Sequence, residues 1–441
     1  GKKLPSYLKN PVYAIYPDGK AGYLAKKLKK NEDGWPAVNI LYDAKGNLVV
    51  EKARNYLLPV IVFTCILLGL CVKGITSADK TYSSAEKREL QTRPKMSAEA
   101  IRKGTFQEKY ETYLSDQFPG RDMWVQLQTD ASRLMGKSVS NGVYFGKDDY
   151  LLEHHTDAEF ETKQERKNIK SLVELVKNIA DDYSVHVMLV PTKTWTLQQK
   201  LPFCASTYDE QKMYDSLNEQ LGNLADSVVV PVQETLCSHR EEDIYYRTDH
   251  HWTTLGAWYG YQSFLKASGM DEKRADEKKD FITVSDDFLG TTYAKVNQAS
   301  AKDVIETYEP KMDLDVVYNM GETKLTTLFA PSYLKTSDEY SYFTGGNQAI
   351  IEITGGEKKG KTLLVIKDSF ANCMIPFLAE DYEKVIVVDL RQLNIGCQAI
   401  LDTFCPTDVL ILYNTAQFAQ DREFALKCYF SSTTWKIKNL R

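Results

Sequence analysis

None of the eight cysteines forms a Cys-x-x-Cys pair, which argues against a structural zinc site of the usual kind. Positive charge is not in excess. A formal net charge of −5 argues against a nucleic-acid-binding face. There is no low-complexity tract and no repeat of the solenoid type. Histidine is scarce, with six in 441 residues, so the pair His250-His251 between Asp249 and Trp252 stands out. Long apolar runs are missing too, except one.

That run is Tyr56–Val72, seventeen residues without a charge, closed by Lys73. It lies at the short end for a membrane-spanning helix, and Pro59 falls in its first turn, where a missing N–H costs little. A buried core helix is the alternative, but such helices seldom are apolar on every face. Before the run stand eleven basic residues against five acidic ones. Excess positive charge stays cytoplasmic, so residues 56–73 read as a signal anchor with the C-terminal part outside. A cleaved leader ending near Thr76-Ser77-Ala78 would need an n-region of more than fifty residues. Cys204, Cys237, Cys373, Cys397, Cys405 and Cys428 would then face an oxidising side, and sequence alone cannot pair them.

Residues 1–55 read as a cytoplasmic segment, with two short strands within 37–52. Residues 74–155 read as an extracytoplasmic stalk and helical layer, with helices at 97–118 and 123–136 and a hairpin at 143–153. From 156 to 441 helix and strand periods alternate. Helices are expected at 167–182, 208–226 and 253–269. Strands are expected at 185–191, 227–232, 362–366, 384–390 and 408–413. Continuous apolar runs such as DVLILY suit strands buried on both faces, and the alternation predicts an α/β, doubly wound parallel sheet. Residues 280–360 read as a loop-rich insertion.

Two segments carry chemistry. Ser369 follows an apolar strand, where parallel sheets place ligands, and the next N–H groups would open a helix suited to an oxyanion. Pro376 would kink or end that helix. Asp368-Ser369 as a plain N-cap pair is the competing reading. The other segment is Asp249-His250-His251-Trp252. A serine nucleophile needs a base, and the base an orienting acid. In an extended stretch Asp249 and His251 project to one side and His250 points away. A metal half-site or helix-capping residues are the alternatives that these residues leave open.

The Asp249–Trp252 segment resembles the name-giving motif of the DHHW protein family. KDSFAN (367–372), VVDLR (387–391), DFLGTTY (287–293), YFTGGN (342–347) and PTKTWTLQQKLP (191–202) resemble further blocks of it. The family is similar to the alginate acetylation proteins AlgJ and AlgX, and the likeness covers roughly residues 90–441. It implies an SGNH-hydrolase-like fold, circularly permuted, because Asp249 and His251 precede Ser369. It implies an extracytoplasmic O-acyltransferase or esterase, with acetyl the expected group, acting on polysaccharide through acyl-Ser369. A membrane-bound O-acyltransferase is the implied partner, and no cofactor or metal is called for. Arg391 would bind substrate or order the site, unless it only pairs with Asp389. Gly346 and Asn347 could serve the oxyanion, or form a plain turn. Asn372 could face the site, and Tyr413 could line the cleft or pack in the core. A non-catalytic glycan-binding or scaffold protein is the competing function, and a metal-dependent hydrolase using His250 and His251 a third.

Overall fold

The computed structural model describes residues 57–83, 88–221, 228–270, 280–355 and 360–428, with four short strands at 13–17, 23–27, 40–42 and 48–50. Two compact units divide the chain. Residues 1–79 with 117–119 form one, and 80–116 with 120–441 form the other.

In the first unit, Tyr13–Pro17 pairs with Tyr23–Lys27 and Ile40–Tyr42 with Leu48–Val50, both antiparallel. The second pair falls where two strands are expected. Among the described residues one helix, Leu57–Thr76, is long and apolar enough to cross a membrane.

The second unit is built on seven strands: β1 Ser184–Val190, β2 Asp315–Tyr318, β3 Thr323–Leu325, β4 Ile350–Thr354, β5 Thr362–Lys367, β6 Lys384–Val388 and β7 Asp408–Asn414. Their order is β1-β7-β5-β6-β4-β2-β3. The first four run parallel, as their apolar runs predict. The last three run antiparallel. The sheet is therefore mixed, not wholly parallel. The difference comes from residues 280–360, which extend the sheet instead of interrupting it. Strands of three to five residues are too short to show a clear period of two.

Alternation along the strands splits the core in two. Leu363, Val365, Leu410 and Leu412 face one side, where helix α3 (Thr254–Ala267) and helix α4 (Ile375–Asp381) pack with Trp258, Tyr261 and Phe377. Leu364, Ile366, Val409 and Ile411 face the other. There lie α1 (Lys163–Ile179), α2 (Gln211–Leu221), α5 (Cys397–Phe404), α6 (Thr415–Gln420) and α7 (Arg422–Lys427). Helix α1 shows the local logic. Thr162 caps it by accepting from the Glu165 N–H, and Leu172, Leu175 and Val176 bury completely. Each such side chain contributes about 1.5–3 kcal/mol.

Two other expectations change. The run at 227–232 yields only a single bridge, Val187 to Val229, before the helix Val232–Ser238. The hairpin Val143–Phe145 with Leu151–Glu153 forms, but Tyr144, Tyr150 and Leu152 sit in the main core, so no structural border falls at residue 155.

Candidate active site

The carboxyl ends of β1, β7, β5 and β6 share one edge of the sheet, where open α/β folds bind ligands. Ser369 stands there, just after β5. It opens a 3-10 turn, Ser369–Cys373, and Pro376 then sits in the first turn of α4. The helix expected behind Ser369 is thus two pieces, broken just before Pro376. Asp368 holds the turn instead. It accepts from the Phe370 N–H at 2.9 Å and from the Asn414 N–H, at the end of β7, at 2.7 Å.

His251 Nε2 lies 2.8 Å from Ser369 Oγ, and His251 Nδ1 lies 2.6 Å from Asp249 Oδ1. Asp249 and His251 are nearly wholly buried, while Ser369 keeps partial exposure. The Asp-x-His stretch is not extended. Asp249 Oδ1 also accepts from the His251 N–H at 2.9 Å, so a tight turn lets one oxygen hold both backbone and ring. The same turn brings His250 back over the site, its ring 3.9 Å from that of His251, instead of pointing it away.

The turn is clamped on both sides. Lys193, buried after β1, donates to the carbonyls of Tyr246 (3.0 Å), Arg247 (3.2 Å) and Asp249 (2.6 Å). Asp303 accepts from the N–H groups of Arg247 and Thr248, each at 2.6 Å. Trp252 Nε1 donates to Phe370 O at 2.7 Å, joining this loop to the serine turn. Backbone groups that would otherwise be buried without partners are thereby satisfied.

Residues outside the motif complete the site. Thr291 donates its N–H (2.7 Å) and its hydroxyl (2.9 Å) to Asp249 Oδ2. Gly290 permits that approach, since a Cβ there would lie 2.1 Å from Asp249 Cβ. Tyr340 stacks on His251 at 3.8 Å between ring centres, and its hydroxyl donates to Ser369 O at 3.2 Å. Burial opposes the charge of Asp249, but His251, His250 and the Thr291 N–H hold its carboxyl well below the usual range. Partial burial and the neighbouring His251 push His250 down to about 4, which keeps it neutral near pH 7.

Of the other residues singled out by sequence, Asn347, Gly346 and Asn372 line a cavity of about 190 Å³ together with Ser369, His251 and Tyr340. Asn347 follows a turn in which Thr344, Gly345 and Gly346 all have φ between 59° and 82°. A β-branched residue in that region is strained, as functional turns often are. Arg391 is spent on Asp389, with Nε to Oδ1 at 2.9 Å and Nη2 to Oδ2 at 2.6 Å. Tyr413 does not line the cleft. It packs on Phe418 and Phe424 in the core of the opposite face. A second cavity of about 370 Å³ opens on the other side of Ser369, lined by Glu153, His155, His250, Lys295 and Gln417 among others.

Asp249, His250 and His251 could also bring three metal-ligating atoms within 4.8 Å. Their atoms are engaged, however: Asp249 by His251 and Thr291, His251 by Ser369, and His250 Nδ1 by the Thr291 hydroxyl at 2.5 Å. His239 lies elsewhere, paired with Glu242 at 2.7 Å. Thr291, Tyr340, Lys193 and Asp303 carry no motif of their own. Their sequence signals were the family-like blocks DFLGTTY, which holds Thr291, and PTKTWTLQQKLP, which holds Lys193.

The "Probable alginate O-acetylase AlgJ" of Pseudomonas syringae pv. tomato is 24% identical over 236 residues, 52% of this chain and 56% of that protein. The chain thus spans little more than half the length of that relative. The crystal structure of a DHHW family protein from Eubacterium siraeum matches with a TM-score of 0.52 at 22% identity, covering 67% of this chain and 98% of that one. PatB1 of Bacillus cereus follows with a TM-score of 0.49 at 20% identity, covering 63% and 97%. The family model described as DHHW protein matches residues 168–388, half of the chain, and spans both the Asp249–Trp252 motif and Ser369. On that match the chain belongs to the DHHW protein family.

Proposed function

We propose that this chain is an O-acyltransferase or esterase of the SGNH type that modifies a polysaccharide through an acyl-serine intermediate. One observation carries the reading: the unbroken hydrogen-bonded line from Ser369 Oγ through His251 to Asp249, at 2.8 and 2.6 Å. Its chain order, Asp and His before Ser, suits a circularly permuted member of that group. The relative named an alginate O-acetylase supports the acetyl and polysaccharide assignment.

The chemistry follows from the geometry. His251 Nε2 takes the Ser369 proton as Oγ bonds to the carbonyl carbon of an acyl ester. The carbonyl oxygen becomes an oxyanion facing the cavity of Asn347 and Asn372. Collapse breaks the bond to the donor alcohol, which leaves with the proton held by His251. A sugar hydroxyl then gives its proton to His251 as its oxygen bonds to the acyl carbon; the acyl–Oγ bond breaks, and Ser369 Oγ takes the proton back from His251. Water in place of the sugar gives hydrolysis. Asp249 keeps the Nδ1 proton of His251 in place and stabilises the imidazolium.

The helix Leu57–Thr76 serves in this reading as a signal anchor, with the N-terminus cytoplasmic and the catalytic unit outside. A membrane-bound O-acyltransferase would deliver the acyl group.

The test is to purify the full chain in detergent and supply a chromogenic acetyl ester. Ester cleavage that needs Ser369, with an acetyl mass on that residue, supports the reading. Cleavage equal in wild type and Ser369→Ala, without an adduct, overturns it.

A further inference from the structure

Lys367 ends β5 with its side chain wholly buried. Its Nζ donates to Asn372 Oδ1 at 2.7 Å and to Asn347 Oδ1 at 3.1 Å. An ammonium group only donates, so it dictates which end of each carboxamide faces it. The oxygens turn toward the lysine and the NH₂ groups turn away from it. Both asparagines line the 190 Å³ cavity that also holds Ser369 and His251. Asn372 Nδ2 also reaches Asn347 Oδ1, at 3.4 Å. Among the described residues, both hydrogen bonds of the Asn347 side chain thus fall on its oxygen, which leaves its NH₂ for the cavity.

Burying an ammonium group is costly, and one kept only for stability would press its charge against a carboxylate. Here the carboxylate stands off. Asp389 Oδ2 is 3.9 Å from Lys367 Nζ and is gripped more closely by Arg391. The short bonds of the lysine go to the two amides. Burial pulls Lys367 down to about 8, with Asp389 opposing.

We propose that Lys367 is a positioning residue: it fixes the orientation of Asn347 and Asn372 so that the Asn347 NH₂, and the Asn372 N–H not given to Asn347, face the oxyanion formed at Ser369. Asp389, itself paired with Arg391, faces the lysine charge at 3.9 Å. Arg391 thereby acts on the site two contacts away, without touching substrate. The proposal rests on the acyl-serine reading and deepens it.

The test uses the full chain in detergent and a chromogenic acetyl ester. Lys367→Met removes the donors and keeps an unbranched chain, while Asp389 stays paired with Arg391. It should lower kcat about 10- to 100-fold and leave KM within about threefold. Lys367→Gln, which keeps donors, should recover part of that loss. Added to Asn347→Ala/Asn372→Ala, Lys367→Met should cost nothing further, because the lysine works through those amides. Wild-type kcat in Lys367→Met, or a loss that multiplies with the asparagine losses, overturns the proposal. Should Lys367→Met fail to fold, Asp389→Asn enters the same cycle with the same expected pattern. Cleavage that does not depend on Ser369 overturns the acyl-serine reading and this proposal with it. Cleavage that depends on Ser369 but not on Lys367 overturns this proposal alone.

Discussion

Asp249 accepts four hydrogen bonds on two oxygens, two from His251 and two from Thr291. One oxygen sets the imidazole, and the other anchors the carboxylate to the loop after residue 288. Its neighbour His250 has the opposite fate. It is held neutral down to about 4, while an unfolded histidine titrates near 6.5. Between those values the unfolded chain binds a proton that the folded chain refuses. Stability therefore falls as pH drops through that window, and this group contributes no slope above it. His250→Gln should flatten the fall in thermal midpoint between about pH 6.5 and 4. Equal slopes for variant and wild type would contradict the assignment. The motif residues were legible because His250-His251 stand between Asp249 and Trp252, a setting that the other adjacent pair, His154-His155, lacks. Tyr340 was not, because nothing local distinguishes it, and Thr291 and Lys367 stood inside the blocks DFLGTTY and KDSFAN without any sign of what they would touch. Their role comes from packing between residues far apart in sequence.

At the scale of elements, the long apolar strands and amphipathic helices declare themselves by period. DVLILY and KVIVVDL become β7 and β6, buried on both faces. The stretch 280–360 does not. The strands it adds to the sheet are short, and its worth lies in what it carries to the site: Thr291 for Asp249, Tyr340 for His251 and Asn347 for the cavity beside Ser369. Gly290 is the tightest joint in that delivery. Gly290→Ala should push Asp249 aside, cost about 1–3 kcal/mol or more in unfolding, and cut ester cleavage at least tenfold. Retained stability and rate would show that the loop can give way. On the opposite face, Cys397 on α5 and Cys428 just beyond α7 bring their sulfurs within 2.8 Å. This contact singles out one bond, which leaves three of the fifteen ways to pair six cysteines. Diamide treatment followed by non-reducing peptide mapping should link Cys397 to Cys428 first, and linkage elsewhere would contradict it.

Taken as a whole molecule, the chain pairs an apolar helix with a mixed α/β unit whose chemistry gathers at one sheet edge. If Leu57–Thr76 is an anchor, alkaline carbonate should leave the protein with the membrane, and protease added outside intact cells should reach residues 80–441. A carbonate-soluble protein, or one protected from protease, would contradict that topology. The central claim is acyl transfer through Ser369, and trapping the intermediate tests it most directly. The full chain is mixed with a chromogenic acetyl ester, quenched in acid within seconds and mapped by peptide mass. The account predicts acetyl on Ser369, none in Ser369→Ala, and formation slowed about 10²- to 10⁴-fold in Asp249→Asn. An unmodified Ser369 throughout turnover, with Ser369→Ala as active as wild type, would contradict it.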